Sequence, residues 1–202
     1  FLADLAGSGQ ALELGVGTGR IALPLARKGT PVHGIDMSQA MIDILLAKPD
    51  ASKVAVTRGD FATTRIDGTF SLAYLVFNTI MNLTSQRAQV ACFRNAAAHL
   101  NAGGYFVIEV LVPALQRLPR GEHFVPFDIS KTHWGVDEYD LVSQALTSHH
   151  LHFVDGKTER HSLPARYVWP SELDLMAELA GMRLHERWQN WQREPFTGSS
   201  ES

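Results

Sequence analysis

The sequence predicts an α/β fold: a doubly wound, mostly parallel sheet with helices on both faces and an antiparallel β insertion after the fifth strand. Three observations lead there. Short apolar runs alternate with segments of helical periodicity from Ala11 to Val112, a glycine-rich turn joins the first run to its helix, and from Arg117 to Tyr167 short alternating segments follow with no helical pattern between them. Alternating strands and amphipathic helices require a parallel sheet, because each crossover lays a helix on a sheet face.

The elements read off in order. Ala11–Leu14 is a strand, and Arg20 to Lys28 a helix with Ile21, Leu23, Leu25 and Ala26 apolar before Gly29. Pro31–Ile35 is the second strand, ending at Asp36, and Ser38 caps a helix that carries Met41, Ile42 and Leu45. Val54–Thr57 and Phe70–Phe77 are the third and fourth strands. A helix from about Thr84 to Leu100 presents Val90, Phe93, Ala97 and Leu100 on one face, and the Asn101–Gly104 turn leads into the fifth strand, Tyr105–Val112. In the insertion, Asp155-Gly156 is a hairpin signal between Leu141–Val154 and Lys157–Tyr167. After Pro170, Leu173, Met176, Ala177 and Ala180 define a last helix closed by Gly181, and Met182–Trp191 reads as a final strand. The tail Thr197–Ser202 is low in complexity.

At 202 residues the chain has the length of one domain, residues 1–202, with the insertion at about 113–168. It is 45% hydrophobic and 19% charged with a formal net charge of -3, so no nucleic-acid partner is expected from bulk charge. The apolar runs fall short of the ~20 residues of a membrane span. Cys92 is the single cysteine; it allows no internal disulfide, and a reducing, cytoplasmic setting is expected. No signal peptide is legible at Phe1.

Glu13-Leu14-Gly15-Val16-Gly17-Thr18-Gly19 ends the first strand and opens the first helix, where a ligand must approach the backbone closely. Asp36 stands 21 residues after Gly15 at the tip of the second strand, the offset at which a carboxylate meets ribose hydroxyls. A plain tight turn with a helix cap explains the glycines equally. A nicotinamide dinucleotide site is a sharper competitor, but it needs a third glycine where Arg20 stands. Glu13, two residues before the first glycine, suits a ligand with a cationic amino group better than a pyrophosphate.

The stretch Leu12–Arg20 resembles the first motif of the class I S-adenosylmethionine (SAM)-dependent methyltransferases, whose fold is Rossmann-like, and the other motifs follow in order. Gly34-Ile35-Asp36-Met37-Ser38 resembles the second, Arg58-Gly59-Asp60-Phe61 the third, Phe70–Asn78 the fourth and Leu100–Gly104 the turn before the fifth strand. Within that family the chain looks most like bacterial enzymes that methylate small molecules. The resemblance implies SAM as cofactor. Glu13, Gly15, Gly17 and Gly19 would line its methionine moiety, Asp36 would bind ribose and Met37 pack on adenine. Asp60 and Phe61 would meet the adenine amino group and ring, and Phe77 with Asn78 would face the methyl group. For Met37, Phe61 and Phe77 a plain core role is the alternative, and for Asp36 and Asp60 a solvated carboxylate.

The reaction implied is transfer of the methyl group by in-line displacement to an oxygen or nitrogen of a small-molecule acceptor, which asks mainly for placement and charge complementarity. A SAM-binding scaffold or regulator without catalysis is the first alternative, and a nicotinamide-dependent oxidoreductase the second. Phe77-Asn78-Thr79-Ile80 lacks the Pro-Pro-aromatic motif of nucleobase N-methylating enzymes, and Cys92, inside a helix, reads as structural. His133, His123 and Tyr139, in the segment expected to cover the acceptor, are the candidate bases or acceptor contacts; Asp140, Arg166, Tyr167 and Trp169 lie nearby. His150 and His152 share a strand face but have no third ligand at a matching spacing, so no metal is expected and an exposed polar face is the reading. The resemblance also implies a seventh strand, which this sequence does not display, and an N-terminal helix, which is mostly missing from it. The insertion suits a lid, a homodimer contact, or both.

Overall fold

The computed structural model describes residues 1–113, 115–154 and 156–201. Asp155 of the expected hairpin turn and Ser202 of the tail lie outside them. Five parallel strands form the main sheet in the order β3-β2-β1-β4-β5: β1 (Ala11–Leu14), β2 (Val32–Asp36), β3 (Val54–Arg58), β4 (Phe70–Leu75) and β5 (Leu100–Ile108). The chain winds from β1 outward to β3, then returns past β1 to add β4 and β5 on the other side. The carboxyl ends of β1 and β4 therefore border the crevice where the winding reverses.

β1 is buried at all four positions, as a strand covered on both faces must be. Its alternate residues feed two cores. Leu12 and Leu14 join Ala73 and Leu75 of β4 beneath α4 (Gln86–His99) and α5 (Pro170–Leu179), through Cys92, Phe93, Ala96 and Met176. Ala11 joins Leu72 and Tyr74 on the opposite face with α1 (Leu2–Ala6), α2 (Ala22–Arg27) and α3 (Gln39–Leu46). Serines start the two longer crossover helices: Ser38 Oγ accepts from Met41 N–H at 3.4 Å and Ser85 Oγ from Ala88 N–H at 3.2 Å. Among the described residues no helix is long and apolar enough to cross a membrane.

The insertion is a separate antiparallel sheet in the order β6-β7-β8-β9: β6 (Phe124–Ile129), β7 (His133–Tyr139), β8 (Ala145–Val154) and β9 (Lys157–Arg166). One end of it is anchored. Tyr139 and Leu146, cross-strand partners, are buried with Tyr167, Val168 and Met176 in the core under β4. A polar cluster fixes the junction: buried Arg166 donates to Gln89 Oε1, to Gln144 Oε1 at 3.0 Å and to Glu172 Oε1 at 2.7 Å, while Gln144 and Gln86 donate to Glu172 at 2.7 and 2.9 Å. Arg166 and Tyr167 are thus junction and packing residues.

Four local expectations are corrected. β4 stops at Leu75 rather than Phe77, because Phe77 and Asn78 take left-handed backbone angles (φ 56° and 60°) that end the ladder. Asn101–Gly104 is not a turn before the fifth strand but an irregularity within it. Leu100 already pairs with Phe70 and Tyr105 with Leu72, the register shifting between them. Met182–Trp191 forms no strand. Asn190–Glu194 folds the segment back on itself, Trp188 bridges only to Pro195, and the Trp188 and Trp191 rings pack edge-on around Phe1 at 5.5 and 5.4 Å instead of lying on the sheet. The low-complexity tail docks: Glu201 carbonyl accepts from Val112 N–H at 2.8 Å and Ser200 is buried.

Replacing Arg166 with Ala removes a buried cation from three hydrogen-bonded partners and should lower unfolding stability by about 3 kcal/mol in urea denaturation. Burial alone would raise the Glu172 carboxyl, but the bonds from Arg166, Gln144 and Gln86 outweigh it and hold it below the ordinary 4.5. A depressed acid contributes stability above its unfolded value and loses it as pH falls through the folded one. The wild-type advantage over Arg166→Ala should therefore be full at neutral pH and shrink below about pH 4.5.

Candidate functional site

The glycine turn after β1 is built around close backbone contacts. Gly15 and Val16 N–H both donate to Ile35 carbonyl, at 2.8 and 3.1 Å, which ties the turn to the end of β2. Gly15 has φ 78° and sits where a Cβ would come within 2.6 Å of Thr79 Cγ2, so no side chain fits. Gly17 has φ 52° with open space where its Cβ would point, leaving backbone exposed to an incoming ligand.

Asp36 locks this turn to β2. Its carboxylate accepts from Gly17 N–H at 2.7 Å and from Ser38 N–H at 2.8 Å, and its carbonyl accepts from Gly59 N–H at 2.9 Å beyond β3. Two backbone donors on one carboxylate orient it and leave its charge at the crevice.

Glu13 lies below, buried to 3% exposure within β1. Tyr74 on β4, its register partner, donates its hydroxyl to Glu13 Oε2 at 2.9 Å. Loss of water pushes the Glu13 carboxyl up to about 8, against the bonds from Tyr74 and Ala22 N–H and helped by the Asp36 charge. Tyr74 is held far above the ordinary phenol range by burial and by the Glu13 charge. Near neutrality the free protein thus carries a neutral carboxyl beneath the glycines, ready to ionise against a cation.

The rim is apolar. Met37 and Phe77 are 66% and 52% exposed, so neither is a core residue, and the Arg20 guanidinium stacks 4.5 Å from the Phe77 ring centroid. Phe61 is half-buried against the core beside Gly15, with its carbonyl accepting from Asn95 Nδ2 at 2.8 Å. Asp60 Oδ1 accepts from Ala62 N–H at 2.8 Å, which shapes the turn after β3. Asn78 Oδ1 accepts from Leu111 N–H at 2.7 Å. The structure thus gathers Glu13, Gly15, Gly17, Gly19, Asp36, Met37, Asp60, Phe61, Phe77 and Asn78 at or just beyond the carboxyl ends of the first four strands.

Tyr74 and Glu109 were not anticipated. Tyr74 was legible in principle, since a glutamate inside a buried strand requires a donor on the adjacent strand. Glu109 accepts from Phe77 N–H at 3.0 Å and from Trp191 Nε1–H at 3.0 Å, and no local pattern signals a contact that spans 82 residues.

The three candidate bases are not gathered there. His123 is exposed, with Nδ1 3.3 Å from Tyr139 carbonyl. Tyr139 is buried, its hydroxyl donating to Asp137 at 3.4 Å, and burial together with Asp137 pushes it up to about 12. His133 stands at the other end of β7, six residues or about 20 Å along the strand from Tyr139. Its neighbours are Asp128, His150 and His152. His150 and His152 are half-buried rather than exposed, and His133 is the third imidazole that chain spacing did not reveal.

A family model described as a methyltransferase domain matches residues 11–104. The CcbJ methyltransferase of Streptomyces caelestis is 38% identical, with 98% of this chain and 82% of that one covered and a TM-score of 0.88. The SAM-bound CalS10 structure, an amino pentose methyltransferase of Micromonospora echinaspora, shares the fold at 20% identity and a TM-score of 0.65, covering 87% of this chain and 75% of that one. YqeM of Bacillus subtilis is 28% identical over 110 residues, 54% of this chain, and the match spans only 44% of that protein's length.

Gly34, opposite Glu13 on β2, has the Val16 side chain packed where its Cβ would stand, at 2.5 Å. Gly34→Ala should push Val16 and the glycine turn outward and cost about 1–3 kcal/mol in chemical unfolding; an unchanged midpoint would show that the turn yields freely.

Proposed function

We propose, from the premise that this chain belongs to the family of class I SAM-dependent methyltransferases, that it methylates an amine or hydroxyl of a small-molecule acceptor. The observation that carries the reading is the arrangement around the crevice: a buried Glu13 bonded by Tyr74 under an open glycine turn whose far side is held by the Asp36 carboxylate. Each part has a counterpart in SAM. Glu13 faces the need of a cationic amino group, the Gly15–Gly19 backbone lets the methionine portion approach, and Asp36 is an acceptor for ribose hydroxyls. Met37 and Phe61 supply apolar surface for adenine, with Asp60 beside them. Bound SAM supplies a methyl group on a sulfonium leaving group, so the protein's task is placement.

On the acceptor side, Phe77, Asn78 and Glu109 form one bonded unit after β4 and β5. The Glu109 carboxylate there suits an acceptor that arrives as a cationic amine and reacts as its free base. Tyr139, held protonated up to about 12, makes a poor base near neutrality, and His133 lies about 20 Å along β7 from Tyr139, at the far end of the sheet. An amine needs no enzymic base once deprotonated, whereas a hydroxyl does. These points favour nitrogen as the methylated atom.

Asp36→Ala should weaken SAM binding at least about tenfold, as loss of a charge-assisted pair of hydrogen bonds predicts; calorimetric titration with SAM, S-adenosylhomocysteine and NAD measures it, and unchanged affinity would remove Asp36 from the ribose role. In a panel of small primary and secondary amines set against matched alcohols, methyl transfer from SAM should appear among the amines. Turnover confined to alcohols would reverse the assignment of the acceptor atom.

A further inference from the structure

We propose that His133, His150 and His152 form a binding site for one divalent transition-metal ion, with zinc the best chemical match, on the face of the antiparallel sheet that also carries Tyr139. This site is independent of methyl transfer. The three side chains come from two strands: His133 pairs with His152 across β7 and β8, and His150 pairs with Gly135 two positions along. Side chains alternate along a strand, so all three imidazoles stand on the same face. Their ligand nitrogens lie within 4.8 Å of one another. His133 Nε2 is already 3.0 Å from His150 Nδ1. Three imidazole nitrogens around a tetrahedral zinc sit about 3.3 Å apart at bond lengths of about 2.0–2.1 Å, so only small ring rotations separate this arrangement from a bound one.

The outer partners agree. A metal-binding imidazole is normally oriented by a hydrogen bond from its other nitrogen, often to a carboxylate. His133 meets Asp128 Oδ2 through Nδ1 at 2.5 Å, leaving Nε2 for the ion. His150 meets Ser148 Oγ through Nε2 at 3.2 Å, leaving Nδ1. The bulged β6 aims these groups. The Phe127 ring occupies the space a Gly135 side chain would fill, 2.3 Å from the ideal Cβ, and lies 5.4 Å from the His150 ring, walling one side of the cluster. His161, opposite His150 on β9, shares this face outside the three-nitrogen group. A three-imidazole set with a remaining open position suits zinc and related borderline ions, while calcium and magnesium demand oxygen ligands. A bound ion would cross-link β7 and β8 at the end of the sheet farthest from its anchor at Tyr139.

The test uses the whole chain without a histidine tag. Zinc chloride is titrated calorimetrically, and cobalt(II) is added separately to read its visible absorption. The expected result is one equivalent of zinc bound at about 10 μM or tighter, with a cobalt spectrum of tetrahedral intensity. His150→Ala with His152→Ala should weaken zinc binding at least about 100-fold, and Asp128→Asn by about 10–100-fold through the lost orienting bond. SAM affinity, unchanged in both, reports that the variants remain folded. His149→Ala is the matched control, because His149 faces the other side of the sheet toward Glu138 and Ser162 and should leave zinc binding intact. No stoichiometric binding by the wild type, or binding that survives the double substitution, would overturn the proposal.

Discussion

The Asp36 carboxylate is the constraint on which the site depends. It is one side chain, yet it closes the glycine turn through Gly17, starts the approach to α3 through Ser38 and stands beside the charge-sensitive Glu13. Without it the Gly17 N–H would have no fixed partner, and the turn would be tied to β2 only through the Gly15 and Val16 bonds to the Ile35 carbonyl. The winding of the sheet then places this lock at the crevice between β1 and β4. A chain that runs outward from β1 and later returns to β4 leaves the ends of those two strands uncovered by connecting loops.

The antiparallel sheet meets this frame at one end only. Tyr139, Leu146 and Tyr167 join the main core, and Arg166 satisfies Gln89, Gln144 and Glu172 at the same junction. A buried cation with this many partners is a costly device unless all of them are met, so it sets one docking geometry for the insertion. Among the described residues the far end of the sheet has no such anchor, and there the strand face turns from apolar to imidazole-rich.

Much of this was legible in the sequence. The alternation of strands and helices along the chain, the glycine turn and the position of Asp36 follow from short-range pattern, because a parallel sheet enforces regular alternation and a phosphate- or nucleoside-type turn enforces glycine spacing. What escaped came from long-range partners. The pairing of Glu13 with Tyr74, the Glu109 contacts to Phe77 and Trp191, and the meeting of His133 with His150 and His152 each join separate strands or the tail. The failure of Met182–Trp191 to form a strand has the same root: its residues alternate well enough, but the Trp188 and Trp191 rings find Phe1 at the other end of the chain. The candidate bases of the insertion stand apart for a related reason, since position in the chain does not fix which end of the antiparallel sheet His133 and Tyr139 occupy.

The central claim is that Glu13, neutral in the free protein near pH 7, becomes the counter-ion of the SAM amino group. Its raised value of about 8 means the free carboxyl keeps its proton between the ordinary glutamate range and that pH, and a cation placed on it drives the proton off. Calorimetric titration of SAM at pH 6.5 in buffers of different ionisation enthalpy counts the protons exchanged. The account predicts release of close to one proton per SAM bound, fading as pH rises past about 8 and absent in Glu13→Gln. Binding with no proton release across that range would show that Glu13 is not the counter-ion of the cofactor.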